Sequence, residues 1–172
     1  MQALRRATPA YGENLLVVGM GLVGQLAARL GQIAGTYVMG WDMSPFRLSV
    51  AQQWGINGVT QIGQDDFEAK AKEFTHGEGF DMAIMAFGGD GTSALEQVTK
   101  VMQLSPDGHR MGRIALVGGL KTQCAWGAGL GNLDLRCSAR SGPGYHDAAW
   151  ERGDVDYPAV FMRWTTQTHL KL

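Results

Sequence analysis

The residues of this sequence best suited to chemistry are Gly19-Met20-Gly21-Leu22-Val23-Gly24, followed 18 positions after the last glycine by Asp42. Three glycines at that spacing, after a strand and opening a helix, suit bringing a phosphate close to main chain, although a turn that merely needs glycines would carry them too. Gly19 allows a tight turn, Gly21 lets a pyrophosphate approach the backbone, and Gly24 lets a helix pack closely on a strand. Leu22 and Val23 then open the helix, where free N–H groups and the helix dipole favour negative charge. Asp42 would accept hydrogen bonds from an adenosine ribose, and its charge would repel a 2′-phosphate, which favours NAD over NADP. An aspartate there also suits a helix cap, so that reading stays open. Met43 falls beside it. Arg47 would stack on the adenine, attract a phosphate or stay solvated.

Such a site needs a strand, the turn and a helix in that order, and the chain supplies them. Leu15 to Val18 is a buried-strand run, and Val23, Leu26, Ala27, Leu30, Ile33 and Ala34 recur behind it at helical spacing. Thr36 to Trp41 is a second strand run. Ser44-Pro45 reads as N-cap and first residue of a helix that stops at Gly55. Gly58 to Ile62 is a third strand, and a helix with Phe67, Ala71 and Phe74 follows it. Asp81 to Phe87 is the fourth. Ser93 and Glu96 suggest a capping box before a helix bearing Leu95, Val98, Val101 and Met102. Ile114 to Val117 and Leu133 to Cys137 are the fifth and sixth strands. Lys121 to Asn132 and Ala139 to Asp154 read as loops.

Apolar strands alternating with helices predict an α/β fold: a doubly wound, Rossmann-type parallel six-stranded sheet with helices on both faces. Ligands of such sheets bind beyond the carboxyl ends of the strands. That adds Phe87-Gly88-Gly89, Val117-Gly118-Gly119 and Ser141, although ordinary turn glycines would look the same.

The chain has 172 residues, 45% hydrophobic and 18% charged, which suits one globular domain. Its 25 glycines are about twice the usual share, as turns and close backbone approach demand. With 15 basic and 16 acidic residues there is no basic stripe, so nucleic acid is not an expected partner. The two cysteines, Cys124 and Cys137, form no CxxC pair and support neither a disulfide framework nor a structural zinc site. The N-terminus lacks the apolar stretch of a signal peptide, and Leu15 to Leu30 is too short and broken to span a bilayer. A cytoplasmic protein without membrane contact is expected.

The stretches GENLLVVGMGLVGQLAARLGQIAG, VMGWDMSPFRLSVAQQWGIN, GFDMAIMAFGG and GRIALVGG together resemble the medium-chain, zinc-alcohol-dehydrogenase-like dehydrogenases and reductases. LDLRCSARSG looks like that family's sixth strand and following loop. DYPAVFMRWT looks like a subgroup related to threonine and polyol dehydrogenases. The resemblance implies cofactor binding by Gly19, Gly21, Gly24 and Asp42, with Arg47 near the adenine. It also implies that the catalytic zinc ligands and a four-cysteine loop belong to a separate, mostly β domain that nothing here matches. A homodimer through the sixth-strand edge is implied too. Leu104 to Gly112 departs from the family as a longer turn.

Gln2 to Ala7 reads as the end of a helix preceding the first strand, and Arg163 to Leu172 as the start of another. The whole chain, 1–172, therefore reads as one NAD(P)-binding domain cut from a longer dehydrogenase, inactive alone. A stand-alone NAD-sensing module is a second reading. A methyltransferase binding S-adenosylmethionine is a third, against which the close-packing Gly24 argues.

Overall fold

The computed structural model describes residues 1–127 and 129–162. The expectation placed on Arg163 to Leu172 lies outside those residues.

Apolar runs become the strands of one parallel sheet. These are β1 (Asn14–Val18), β2 (Tyr37–Asp42), β3 (Gly58–Gln61), β4 (Met82–Met85), β6 (Met111–Val117) and β8 (Asn132–Ser138), in the spatial order β3-β2-β1-β4-β6-β8. Two-residue strands β5 (Gly89–Asp90) and β7 (Leu120–Lys121) form a separate parallel pair. The helices are α1 (Gln2–Ala7), α2 (Leu22–Ile33), α3 (Pro45–Gln53), α4 (Phe67–Phe74), α5 (Thr92–Val101) and α6 (Ala148–Arg152). The chain starts in the middle of the sheet at β1, winds outward through β2 and β3, then returns beside β1 through β4. This is the doubly wound arrangement, with its switch point at the carboxyl ends of β1 and β4.

Alternation along each strand feeds two cores. Leu15 and Val17 face α1, α2 and α3 through Leu4, Ala27, Ala28, Leu48 and Ala51. Leu16 and Val18 face α4 and α5 through Phe67, Ala71, Leu95 and Val98. With both faces covered, the strands read as unbroken apolar runs.

At the amino ends of the strands, Arg113 of β6 meets Glu13 at 2.5 Å, and Asp81 accepts from the Asn14 amide at 2.8 Å. Burial pushes the Asp81 carboxyl up, against the pull of that amide and of Arg113.

Four local expectations need correction. The helix α2 forms as its spacing predicts, but its sheet-facing side is built from Gly24, Gln25, Ala27, Ala28 and Gly31. A Cβ at Gly31 would lie 2.6 Å from Leu15 Cδ2, so only small residues let the helix sit this close. Leu22, Val23, Leu26 and Ile33 are left exposed, Leu22 by 77%. The Ser93–Glu96 capping box is absent: α5 begins at Thr92 on Gly91 with no side-chain cap, and Asp90 holds the Thr92 amide at 2.9 Å. Starting there puts Ser93 inside the helix, where it cannot act as N-cap. Within the expected loop 139–154 lies α6, capped by Asp147 through the Ala149 and Trp150 amides and stopped at Gly153 with φ +81°. Lys121, expected to begin a loop, pairs in β7.

Candidate functional site

The turn after β1 is pinned from three sides. The Gly19 amide donates to the Trp41 carbonyl at 2.8 Å, which fastens the turn to the end of β2. Gly19 adopts φ +88°, and a Cβ there would lie 2.9 Å from the Ala86 carbonyl oxygen beyond β4. At Gly24 a Cβ would lie 1.9 Å from the Gly19 carbonyl oxygen, so α2 can follow the turn only if that residue is glycine. Both glycines are required by the protein itself.

Gly21 differs. Its φ of −71° is open to any residue, and a Cβ there would meet nothing within 4 Å. Packing does not ask for a glycine, and the space above it is free. It is also the N-cap of α2 and, as a glycine, offers no side-chain oxygen to the first-turn amides of Leu22 and Val23. An uncapped helix start beside bare backbone fits a phosphate group.

Asp42, at the end of β2, is 3% exposed. Its Oδ2 accepts the Met20 amide at 2.7 Å and its Oδ1 the Ser44 amide at 2.7 Å. Arg47 Nη1 lies 3.5 Å from Oδ2. Of about four acceptor positions on a carboxylate, three are taken. The carboxylate thus organises main chain at the meeting of the glycine turn and α3, and its ribose role would use what remains. Ser44 caps α3 by accepting the Arg47 amide, and Pro45 holds the first helical position, as expected. Met43 stands exposed at the rim.

The segments after β4 and β6 run together. Phe87 packs into the second core, while the Gly89 amide donates to Gly119 and the Gly91 amide to Lys121, at 3.3 and 2.8 Å. Val117 ends β6 half-buried, and Gly118 turns the chain with φ +80°. A side chain on Gly88 or Gly119 would meet nothing within 4 Å. The geometry therefore gathers Phe87, Gly88, Gly89, Val117, Gly118 and Gly119 on one main-chain ribbon. Ser141 is placed against α1, its carbonyl 3.5 Å from Arg5 Nη1.

One participant carried no motif. Gln25, buried in α2, donates from Nε2 to the carbonyls of Met20 and Arg47. Its only signal in the sequence is a polar residue between small ones on the buried side of a helix.

In the longer turn before β6, Asp107 contacts both Ser105 and His109, the latter through Nδ1 at 3.1 Å. The carboxylate lies between the other two, so the hydroxyl has no imidazole to take its proton, and the trio stabilises an exposed turn.

Among the described residues no three or more His, Cys, Asp or Glu side chains converge on a metal position. Cys124 is half-buried and Cys137 exposed on β8. A zinc site of three protein ligands does not fit these residues. No described helix is long and apolar enough to cross a membrane.

Residues 23–127 match the protein family described as zinc-binding dehydrogenase. An L-threonine 3-dehydrogenase of Anaeromyxobacter dehalogenans is 32% identical over 108 residues, which are 62% of this chain and 29% of that relative. The L-threonine 3-dehydrogenase of Cutibacterium acnes is 33% identical over 111 residues, 64% of this chain and 30% of its own. The chain thus matches less than a third of the length of these relatives. Among solved structures, an Escherichia coli oxidoreductase/dehydrogenase of unknown specificity superposes with TM-score 0.71 at 19% identity, over 90% of this chain and 44% of the other. An alcohol dehydrogenase from Thermus sp. ATN1 gives TM-score 0.63 at 23% identity, over 78% and 39%. At these identities the structural likeness concerns the fold.

Proposed function

The chain belongs to the zinc-binding dehydrogenase family, and from that premise we propose that it is the single nicotinamide-dinucleotide-binding domain of a hydride-transferring oxidoreductase. In this reading the pyrophosphate lies on Gly19, Gly21, Leu22, Val23 and Gly24. Asp42, Met43 and Arg47 take the adenosine. Phe87, Gly88, Gly89, Val117, Gly118, Gly119 and Ser141 face the nicotinamide half. The observation that carries it is Gly21, a glycine with open space where its side chain would be, at an uncapped helix start.

NAD(H) is the proposed cofactor in preference to NADP(H), because a 2′-phosphate would come against the Asp42 carboxylate. Arg47 offsets part of that repulsion, so the preference is expected to be modest. The zinc and the group that takes the alcohol proton would come from another part of a longer polypeptide, since hydride transfer from an alcohol needs its proton removed. The names of the relatives suggest a hydroxyl-bearing substrate such as threonine or another small alcohol. Titration calorimetry with NADH and NADPH tests the cofactor assignment. NADH should bind the more tightly, and tighter NADPH would overturn the role given to Asp42.

A homodimer is proposed through β8. Among the described residues it is the sheet's outermost strand and pairs with β6 alone, which leaves a row of main-chain donors and acceptors for a second copy. Light scattering at rising concentration should approach twice the 18.6 kDa chain mass. A constant monomer mass at high concentration would refute it.

A further inference from the structure

Gln25 lies in the first turn of α2 and is 6% exposed. Its Nε2 donates to the Met20 carbonyl at 3.2 Å and to the Arg47 carbonyl at 2.8 Å. Two carbonyl partners fix which end of the amide faces them, since an oxygen there would meet two acceptors. Among the described residues the Oε1 is left buried with no partner. An orphaned buried acceptor costs stability, and an apolar side chain of the same length would avoid that cost. Packing alone gives no reason for a glutamine.

The connections it makes give one. The Met20 amide is held by Asp42, and the Arg47 guanidinium lies on the same carboxylate. Gln25 closes the loop from the other side by joining the carbonyls of the same two residues. The glycine turn and the first turn of α3 are thereby held at one separation, with Asp42 and Gln25 as the two ties.

We propose that Gln25 is a positioning residue that sets the spacing between the phosphate-facing glycine turn and the ribose-facing Asp42–Arg47 pair, and so the affinity for any ligand that spans both. The proposal rests on the nucleotide-binding reading above. It does not require Gln25 to touch the ligand. It does require that ligands reaching only one half be indifferent to it.

The test uses the full chain and Gln25→Met, which keeps the length and removes both donors. ADP and NADH span turn and ribose, and each should bind roughly tenfold more weakly to Q25M, the scale of losing two side-chain hydrogen bonds that hold the geometry. Adenosine and inorganic pyrophosphate, read by ligand-observed NMR, should bind as they do to the unaltered protein. Thermal denaturation should show Q25M at most modestly less stable, because losing the orphaned Oε1 offsets part of the cost of leaving the Met20 and Arg47 carbonyls without the Gln25 donor. Gln25→His keeps one N–H donor and should fall between the two for ADP, and it serves equally if Q25M does not fold. Unchanged ADP and NADH binding would overturn the proposal, as would an equal loss for all four ligands. If the unaltered chain binds neither ADP nor NADH, the failure lies with the nucleotide-binding reading itself.

Discussion

Alanine at position 24 is expected to abolish NADH binding and to destabilise the fold by about 3 kcal/mol, the upper end for overpacking a tight site. The added methyl would stand 1.9 Å from the Gly19 carbonyl oxygen and 2.9 Å from its carbonyl carbon. Both are main-chain atoms, so no side chain can swing aside to make room. Nor is the turn free to retreat, because the Gly19 amide is on Trp41 and the Met20 amide on Asp42. Either α2 tilts off the sheet, loosening Ala27, Ala28 and Gly31, or the turn opens and loses its phosphate-facing shape. Urea unfolding followed by circular dichroism and an NADH titration measure the two effects. Binding within twofold of the unaltered chain would show that the turn does not hold the ligand.

The second large effect is expected at Asp42. Asn at this position keeps one acceptor where the carboxylate uses two. Whichever way the amide is turned, its NH2 group faces the Met20 or the Ser44 amide, donor against donor. Hydrogen bonds to a charged acceptor are worth about 1.5–3 kcal/mol each, so Asp42→Asn should cost about 2–3 kcal/mol of stability. Arg47, released from its carboxylate, becomes available to a 2′-phosphate, and the ratio of NADH to NADPH affinity should narrow or invert. The mutation is informative because the two readouts separate. A stability loss with an unchanged ratio would assign Asp42 to main-chain organisation alone.

Much of this fold is legible in the sequence because each strand is buried on both faces. Leu15 to Val18 and Met82 to Met85 carry no polar alternation to obscure them, and their order with the helices between them dictates a parallel, doubly wound sheet. The glycine turn is legible for a different reason, since steric demands at Gly19 and Gly24 leave no other residue possible. What spacing could not show is which side of α2 is buried. Large apolar residues at helical intervals suggest a core face, yet a helix packed this close needs the Gly24–Ala28–Gly31 side inward, and Leu22, Leu26 and Ile33 turn out. The β5–β7 ribbon was hidden because its bonds are main chain to main chain over two residues each. Asp42 is a candidate by position alone, and its burial and its grip on the Met20 and Ser44 amides arise only in three dimensions. Gln25 shows the same limit: a polar residue on a buried helix side signals a partner without saying which. The signals for α6 were present in Asp147 and Gly153, but the glycines around them read as loop.

Whether the first turn and the end of β2 form a dinucleotide site is decided by titrating the whole chain with NADH in a calorimeter, with S-adenosylmethionine titrated in parallel. Saturable binding of one NADH per chain, lost in the G24A variant and absent for S-adenosylmethionine, is the result expected from this geometry. No heat with NADH, or saturation by S-adenosylmethionine instead, would contradict it.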